Sequence, residues 1–209
     1  MVRRPMYNPS TPEAEEKFMT SDKYLADNRP RHRFSVADYQ VMIEHAILIE
    51  NDRVELIRGV ILEKPEVGGL HMAVVMRLNR FLVAMTQDRG IFTVNNPIRL
   101  ADSMPEPDVA VLQLRADLKA RGTPTPADVF LLIEVADTSA EYDREENGPL
   151  YAENGIVEYW IVNIEDQCLE VHRQPRPDGT NADVRTLRAG ETVEVTALPG
   201  VSLPVAELF

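Results

Sequence analysis

Hydrophobic positions along the chain follow two spacings, and their alternation predicts a fold of helices and strands. The segment SVADYQVMIEHAILIE opens with Ser35, a residue suited to cap a helix, and has Asp38 in the first turn, where a carboxylate complements the helix dipole. We expect a helix from 36 to about 47. In LHMAVVMRLNRFLVAMTQD, apolar residues from Leu70 to Met85 recur at intervals of three and four, which predicts an amphipathic helix ending near Gly90.

Short runs rich in β-branched residues predict the strands. The run DRVELIRGVILEKPE is broken by Gly59, which indicates two strands joined by a tight turn, with Glu55 pointing away from its two neighbours. The almost wholly apolar VFLLIEVAD predicts a strand buried on both faces. Further strands are predicted in IFTVNNPIRL, DVAVLQL, EYWIVNI, CLEVHRQ, DVRTLR and ETVEV.

The acidic segment TSAEYDREENGPLYAENG predicts one more helix, with Gly155 as its stop and a kink or a break at Pro149. The resulting order of elements predicts one α/β or α+β domain, in which a mixed sheet is flanked by helices. Residues 1–33 are polar and lack periodicity, so we expect a flexible arm there and a single domain over 34–209.

Composition narrows the classes of partner. Lys and Arg number 22 against 34 Asp and Glu, a formal net charge of -12, so no overall field draws the chain to nucleic acid or to an anionic membrane. A polyanion partner would need a local basic patch or a metal. With Cys168 as the one cysteine and no apolar run near the ~20 residues that span a bilayer, we expect a cytoplasmic protein that does not enter membranes.

Three carboxylates stand out as candidate chemistry. Glu134 lies inside a core strand, where an ionised group must find a partner or be neutralised. Asp108 begins a second strand directly after Pro107, and Glu55 faces outward on the early hairpin. If the strands are neighbours, these oxygens can converge as Mg²⁺ or Mn²⁺ requires. Taken singly, Asp108 and Glu55 are more typical of a turn, a helix cap or a surface position than of a metal site.

The order of motifs resembles that of the Uma-two family of restriction-endonuclease-like proteins, within the PD-(D/E)XK nuclease superfamily. The resemblance runs from about residue 35 to the C-terminus and rests on ELIRGVI, PEPDVAV, LLIEVADTS, DREENGPLYAENGI and EYWIVN. It implies a restriction-endonuclease-like core with a divalent metal at one edge of a mixed sheet. By motif match, Asp108 and Glu134 resemble the family's metal-binding acids, Glu55 its early Glu and His71 the His of the next helix.

One position departs from the pattern of these nucleases. The superfamily's lysine would stand two residues after Glu134, where this chain has Ala136, and relatives carry it on the following helix, where this chain has Asn147. An amide cannot supply a cation to the attacking water or to developing charge. Lys64 and Arg144 are the candidate substitutes, although an Arg stays charged and is a poor proton shuttle.

Basic and imidazole side chains are candidates for contacts to phosphate. His71 follows two glycines near a helix start, where a capping or structural role competes with phosphate binding. Arg77 and Arg80 form a pair on the second helix, and Arg144 precedes Asn147 by three residues. Solvated helix arginines are common, so these residues are also typical of an exposed helix face.

Three functions remain open from the sequence. The first is a metal-dependent endonuclease acting on DNA as a homodimer, since two related sites are a simple way to cut two antiparallel strands. The second is a catalytically silent module of the same fold that binds nucleic acid or a protein partner. The third is a hydrolase of smaller phosphate esters, which ranks last because the chain has no nucleotide-binding glycine motif.

Overall fold

A six-stranded mixed sheet forms the centre of the computed structural model, which describes residues 31–86, 89–114, 122–200 and 202–209. The helices are α1 (Val36–Glu44), α2 (Gly69–Thr86), α3 (Ala140–Tyr142) and α4 (Gly148–Glu153). A π-helical turn (Asp143–Asn147) joins α3 to α4, and short 3₁₀ turns cover Glu50–Asp52, Pro126–Asp128 and Val205–Glu207. The strands are β1 (Val54–Ile57), β2 (Val60–Glu63), β3 (Gly90–Val94), β4 (Val109–Gln113), β5 (Val129–Ala136), β6 (Glu158–Asn163), β7 (Cys168–Pro175), β8 (Asn181–Leu187), β9 (Thr192–Glu194) and β10 (Ser202–Pro204).

The central sheet runs in the order β3-β4-β5-β6-β7-β8, and only the β5–β6 pair is parallel. A parallel pair needs a crossover, which here consists of α3, the π-helical turn and α4. The crossover therefore begins at the carboxyl end of β5, directly after the strand that carries Glu134. The predicted mixed sheet with flanking helices is confirmed.

Alternate residues of β5 enter two different apolar layers. One layer includes α2 and the β9–β10 hairpin, and it contains Leu131, Ile133 and Val135. The other layer includes α4, and it contains Leu132 and Ala136. Because strand side chains alternate between faces, Glu134 lies on the α4 side. Glu134, the one acidic residue of β5, therefore faces the crossover.

The β1–β2 hairpin is a separate two-stranded sheet. Its turn has Arg58 at φ 49° and Gly59 at φ 76°, two left-handed residues of the kind that two-residue hairpins prefer. Met104 N donates to Leu56 O at 2.7 Å and so fastens the hairpin to the segment that leads into β4. This attachment places Glu55 beside the start of β4.

Three sequence expectations differ from the structure in detail. Helix α1 ends at Glu44, short of residue 47, because the chain turns left-handed at Ala46, with φ 52°. The kink or break predicted at Pro149 falls slightly earlier, in the π-helical turn, where Gly148 N donates to Asp143 O five residues back. Leu70 is 64% exposed, although it was expected on the apolar face of α2.

Residues Phe34–Phe209 form one compact unit. The arm predicted over 1–33 falls almost entirely on residues outside the described part of the chain. Among the residues that the structure describes, no helix combines the length and the apolar character needed to cross a bilayer.

Candidate functional site

A cavity of about 460 Å³ opens where the β1–β2 hairpin, the start of α2, the carboxyl end of β5 and the crossover meet. Its lining is rich in acidic residues. They are Glu55, Glu66, Glu106, Asp108, Glu134, Asp137 and Asp143. Six of the residues predicted from sequence line this cavity: Glu55, Lys64, His71, Asp108, Glu134 and Asn147.

Asp108 and Glu134 are direct neighbours across the β4–β5 pair. Asp108 N donates to Glu134 Oε2 at 3.1 Å, and Val135 N donates to Asp108 Oδ2 at 2.8 Å. The antiparallel register that pairs Val109 with Ile133 brings the two residues to the same end of the sheet. The expectation that these strands are adjacent is therefore confirmed.

Glu134 stands in an environment that disfavours its charged form. Burial, followed by the charges of Asp108 and Asp143, raises the pKa of Glu134 well above its usual value. Tyr151, itself buried, donates its hydroxyl to Glu134 Oε1 at 2.8 Å. Burial also raises the pKa of Tyr151, so this phenol remains a neutral donor. Both oxygens of Glu134 are thus held in fixed directions.

Glu55 reaches the cavity from the hairpin and is tied to the segment before β4. Glu106 N donates to Glu55 Oε2 at 3.1 Å, and burial raises the pKa of Glu55. Lys64 lies on the same hairpin face, because it stands two residues beyond Leu62, the cross-strand partner of Glu55. Lys64 Nζ donates to Glu106 Oε2 and to Glu106 O, each at 3.1 Å.

His71 connects the start of α2 to the acidic pair. Its Nε2 lies 2.8 Å from Asp108 Oδ2, and this hydrogen bond raises the pKa of His71. The Nδ1 atom is buried and has no hydrogen-bond partner among the described residues. His71 therefore orients Asp108, and no phosphate is needed to explain its position.

Asp143 is a cavity residue that sequence reasoning did not select. Its oxygens accept from Asn147 Nδ2 at 2.8 Å and from Ser139 Oγ at 2.9 Å. Burial outweighs these two donors and raises the pKa of Asp143 to about 6. The four-residue spacing of Ser139, Asp143 and Asn147 was the available signal, since such residues meet on one helix face.

The structure does not bring the three predicted arginines into the cavity lining. Arg77 Nη1 donates to Leu208 O at 3.0 Å, and Arg80 is exposed on α2. Arg144 forms a two-pronged ion pair with Glu170 of β7, with its Nε 2.9 Å from Oε2. That ion pair engages the Arg144 guanidinium outside the cavity lining.

No group of three or more His, Cys, Asp and Glu side chains in the described part of the chain is arranged so that it could hold a metal ion by itself. Glu55, Asp108 and Glu134 therefore do not form a ready-made cage. Mg²⁺ is commonly bound through one or two carboxylates, with water and substrate phosphate as its remaining ligands. The adjacent Asp108 and Glu134 fit that mode of binding.

Comparisons with known proteins agree with this architecture. A crystal structure of a putative nuclease belonging to DUF820 from Anabaena variabilis ATCC 29413 is similar, with a TM-score of 0.65 and 18% sequence identity. The match covers 79% of this chain and 95% of that one, and at this identity it shows the fold. No curated protein sequence matches the chain. The profile of the Uma2 family, described as "Putative restriction endonuclease", matches residues 37–206. Because that match takes in nearly the whole of the described unit, the chain belongs to the Uma2 family.

Proposed function

We propose that this protein is a divalent-metal-dependent endonuclease that hydrolyses DNA phosphodiester bonds, with Asp108 and Glu134 as the residues that hold the metal. The carrying observation is that these two half-buried acidic residues are neighbours in the cavity, where Asp108 N donates to Glu134 Oε2 at 3.1 Å. The family description supports the nuclease class. We favour Mg²⁺ or Mn²⁺ because the available ligands are hard oxygens.

The electrostatics of the cavity support a cation there. Burial and neighbouring negative charge both raise the pKa of Glu134, and burial raises the pKa of Glu55. Like charges that are held close together out of water destabilise one another, and a divalent ion relieves that repulsion. A bound Mg²⁺ or Mn²⁺ supplies neutralisation of phosphate charge and Lewis-acid activation of water.

The side chains around the pair have positioning roles in this proposal. Tyr151 fixes one oxygen of Glu134, and His71 fixes Oδ2 of Asp108. Glu55 lies on the hairpin side of the cavity, where its carboxylate can accept a proton from an attacking water. The chain's own groups therefore orient the reacting oxygens and receive the proton.

Lys64 is the proposed substitute for the lysine that Asn147 replaces. It is the single lysine in the part of the chain that the structure describes, and its ammonium lies in the cavity lining. In the structure the Lys64 ammonium is paired with the Glu106 carboxylate. A phosphate oxygen of the substrate would replace Glu106 as the partner of this ammonium. Such a contact stabilises negative charge as it develops on the phosphate.

Cleavage of supercoiled plasmid in Mg²⁺ and in Mn²⁺ tests the function. We expect wild type to cut plasmid. Glu134→Gln should lower the rate by at least about 100-fold, because it removes a negatively charged ligand of the proposed metal ion. Lys64→Gln should slow cutting by about 100-fold for loss of the phosphate contact. Rates come from gel quantification of nicked and linear products.

Glu165→Gln provides the matched control, since Glu165 is exposed and lies outside the cavity lining. Like Glu134→Gln, this variant loses one carboxylate, and we expect it to cut plasmid at the wild-type rate. Equal rates for wild type and Glu134→Gln would contradict the proposal, because contaminating nuclease would then be the source of the cutting.

One observation favours a second candidate, a nuclease-fold module that binds nucleic acid without cutting it. Asn147 donates to Asp143 where relatives carry an ammonium, so the crossover supplies no cation to the cavity. If this candidate holds, wild type binds DNA without turnover. An Asn147→Lys variant distinguishes the two candidates. If this variant cuts DNA and wild type does not, the wild-type site lacks activity because of the residue at position 147.

We further propose that the enzyme works as a homodimer in the cytoplasm. Cutting both strands of a duplex in one encounter requires two sites, which a twofold-symmetric pair supplies. The single cysteine, Cys168, is buried and free, which suits a reducing compartment. Light scattering after size-exclusion chromatography gives the mass in solution, and a monomer at working concentration would contradict the dimer.

A further inference from the structure

We propose that the cavity takes an unpaired nucleotide, whose base stacks on the ring of Tyr142 while its phosphate faces the acidic pair and Lys64. This inference rests on the proposed function and narrows its substrate to single-stranded DNA or to a nucleotide extruded from a duplex. It follows from the character of the cavity's mouth, its size and its charge.

Tyr142 is the one aromatic residue among the described residues that line the cavity. Its side chain is 39% exposed, whereas Tyr151 and Tyr159 nearby are fully covered. It ends α3 and lines the same cavity as the carboxylates of the site, whose charges act on its phenol. An accessible aromatic face next to a phosphate site is the usual platform for a nucleobase, because every base presents a π-face.

A second apolar surface lies at the same cavity. Val67, in the segment between β2 and α2, lines the cavity and is 45% exposed. Pro65 of that segment lines it as well. Flipped or unpaired bases are commonly held between aromatic and apolar side chains, and the mouth of this cavity offers both kinds of surface.

The volume of about 460 Å³ matches a site for one small ligand. A base that is paired and stacked in a duplex cannot enter a cavity of this scale, so a base held there comes from a single strand or is extruded from the duplex. A single nucleotide can place its phosphate deep in such a cavity and leave its base at the mouth. The exposed Tyr142 ring corresponds to the position of the base at the mouth.

Charge also favours stacking as the source of affinity. Seven carboxylates line the cavity, and the permanent cations among its lining are Arg53 and Lys64. Arg53 Nη2 already donates to Pro65 O at 2.7 Å. Duplex binding depends on many phosphates neutralised by Lys and Arg, which a chain of net charge -12 does not offer here. Base stacking supplies binding energy that needs few such contacts.

The test uses a short oligonucleotide that carries 2-aminopurine, a base whose fluorescence is quenched on stacking. The buffer contains Ca²⁺ in place of Mg²⁺ or Mn²⁺, so that a divalent cation neutralises the acidic pair while binding is followed apart from cutting. We expect wild type to quench the single strand and to bind it more tightly than the same sequence as a duplex. Tyr142→Leu should weaken single-strand binding by about tenfold or more and abolish the quenching, as loss of one stacked base does. Tyr142→Phe keeps the ring and should behave like wild type.

Each outcome decides the inference. Tyr142→Leu binding and quenching like wild type overturns it, as does tighter binding of duplex than of single strand or no binding of the single strand by wild type. Circular dichroism melting of Tyr142→Leu confirms that the variant is folded. Plasmid cutting by wild type reports on the proposed function separately, so a cutting enzyme with no role for Tyr142 is distinguishable from a protein that does not cut.

Discussion

Single carboxyl groups determine how the cavity responds to pH. Asp143 is 4% exposed and its pKa is raised to about 6, so its charged form is disfavoured in the folded chain. The unfolded chain ionises Asp143 near its ordinary value of 3.8. The folded state therefore holds this proton more tightly, and stability falls as the pH rises from about 4 to about 6.

Asp143→Asn should remove this contribution. Relative to wild type, the variant should gain about 3 kcal/mol in free energy of unfolding between about pH 4 and about pH 7.5, measured by urea denaturation without metal. The sign follows because a raised carboxyl pKa penalises the folded state only above the unfolded value. Glu165→Gln, at an exposed position, is the control. An Asp143→Asn curve parallel to wild type would show that Asp143 is not the titrating group.

Some of these residues could be identified from sequence, and others could not. Glu134 was recognisable because an acid inside an apolar strand needs a partner. Asp108 was recognisable because it stands directly before another predicted strand. Asp143 was not chosen as a site residue because acids are ordinary on an acidic helix, and its burial depends on how the crossover lies against the sheet. The Arg144 pairing with Glu170 depends on the position of β7, which no local pattern reveals.

At the scale of elements, a buried ion pair connects the central sheet to the segment after β9. Glu158 of β6 is fully buried, and Arg173 of β7 donates to its Oε1 through Nε at 2.9 Å. Trp160 Nε1 donates to the same oxygen, and Thr196 N to the other at 2.8 Å. These contacts satisfy the carboxylate and hold three elements together.

Arg173→Ala should therefore destabilise the protein by roughly 3–5 kcal/mol, since it leaves the buried Glu158 charge without its cation. Arg185→Ala is the matched control, because Arg185 pairs with Asp183 on the outer strand β8 and its side chain is 62% exposed. That solvent-exposed pair should contribute little to stability, so Arg185→Ala should unfold close to wild type. Chemical denaturation measures both changes. Equal losses for the two variants would contradict a special role for the buried pair.

The elements themselves followed from sequence more closely than their interruptions did. Gly59 between two β-branched runs predicted the β1–β2 hairpin, and the apolar VFLLIEVAD predicted the central strand β5. The π-helical turn was not predictable from periodicity, since a helix pattern fits an α-helix and a π-helical turn almost equally well. Its cause is local: Pro149 lacks the N–H that a regular α-helix would use there.

For the whole molecule, the proposed metal binding would be linked to folding. An ion that binds only the folded chain stabilises it, by about 2.7 kcal/mol when its concentration is 100 times the dissociation constant. Mn²⁺ should therefore raise the melting temperature of wild type and leave that of Asp108→Asn unchanged. Glu165→Gln should keep the wild-type shift. An equal shift in all three proteins, measured by calorimetry, would indicate binding away from the Asp108–Glu134 pair.

The crossover has a consequence for how the chain can vary in length. Asp143 and Asn147 lie in the π-helical turn, and Tyr151 follows on α4 with its hydroxyl on Glu134. Each residue of a helix advances the side-chain direction by about 100°. Losing one residue between Ser139 and Tyr151 would swing the phenol to another side of the helix. Insertions and deletions there are consequently restricted by geometry, whereas single substitutions at the exposed Glu145 and Glu146 leave this alignment intact.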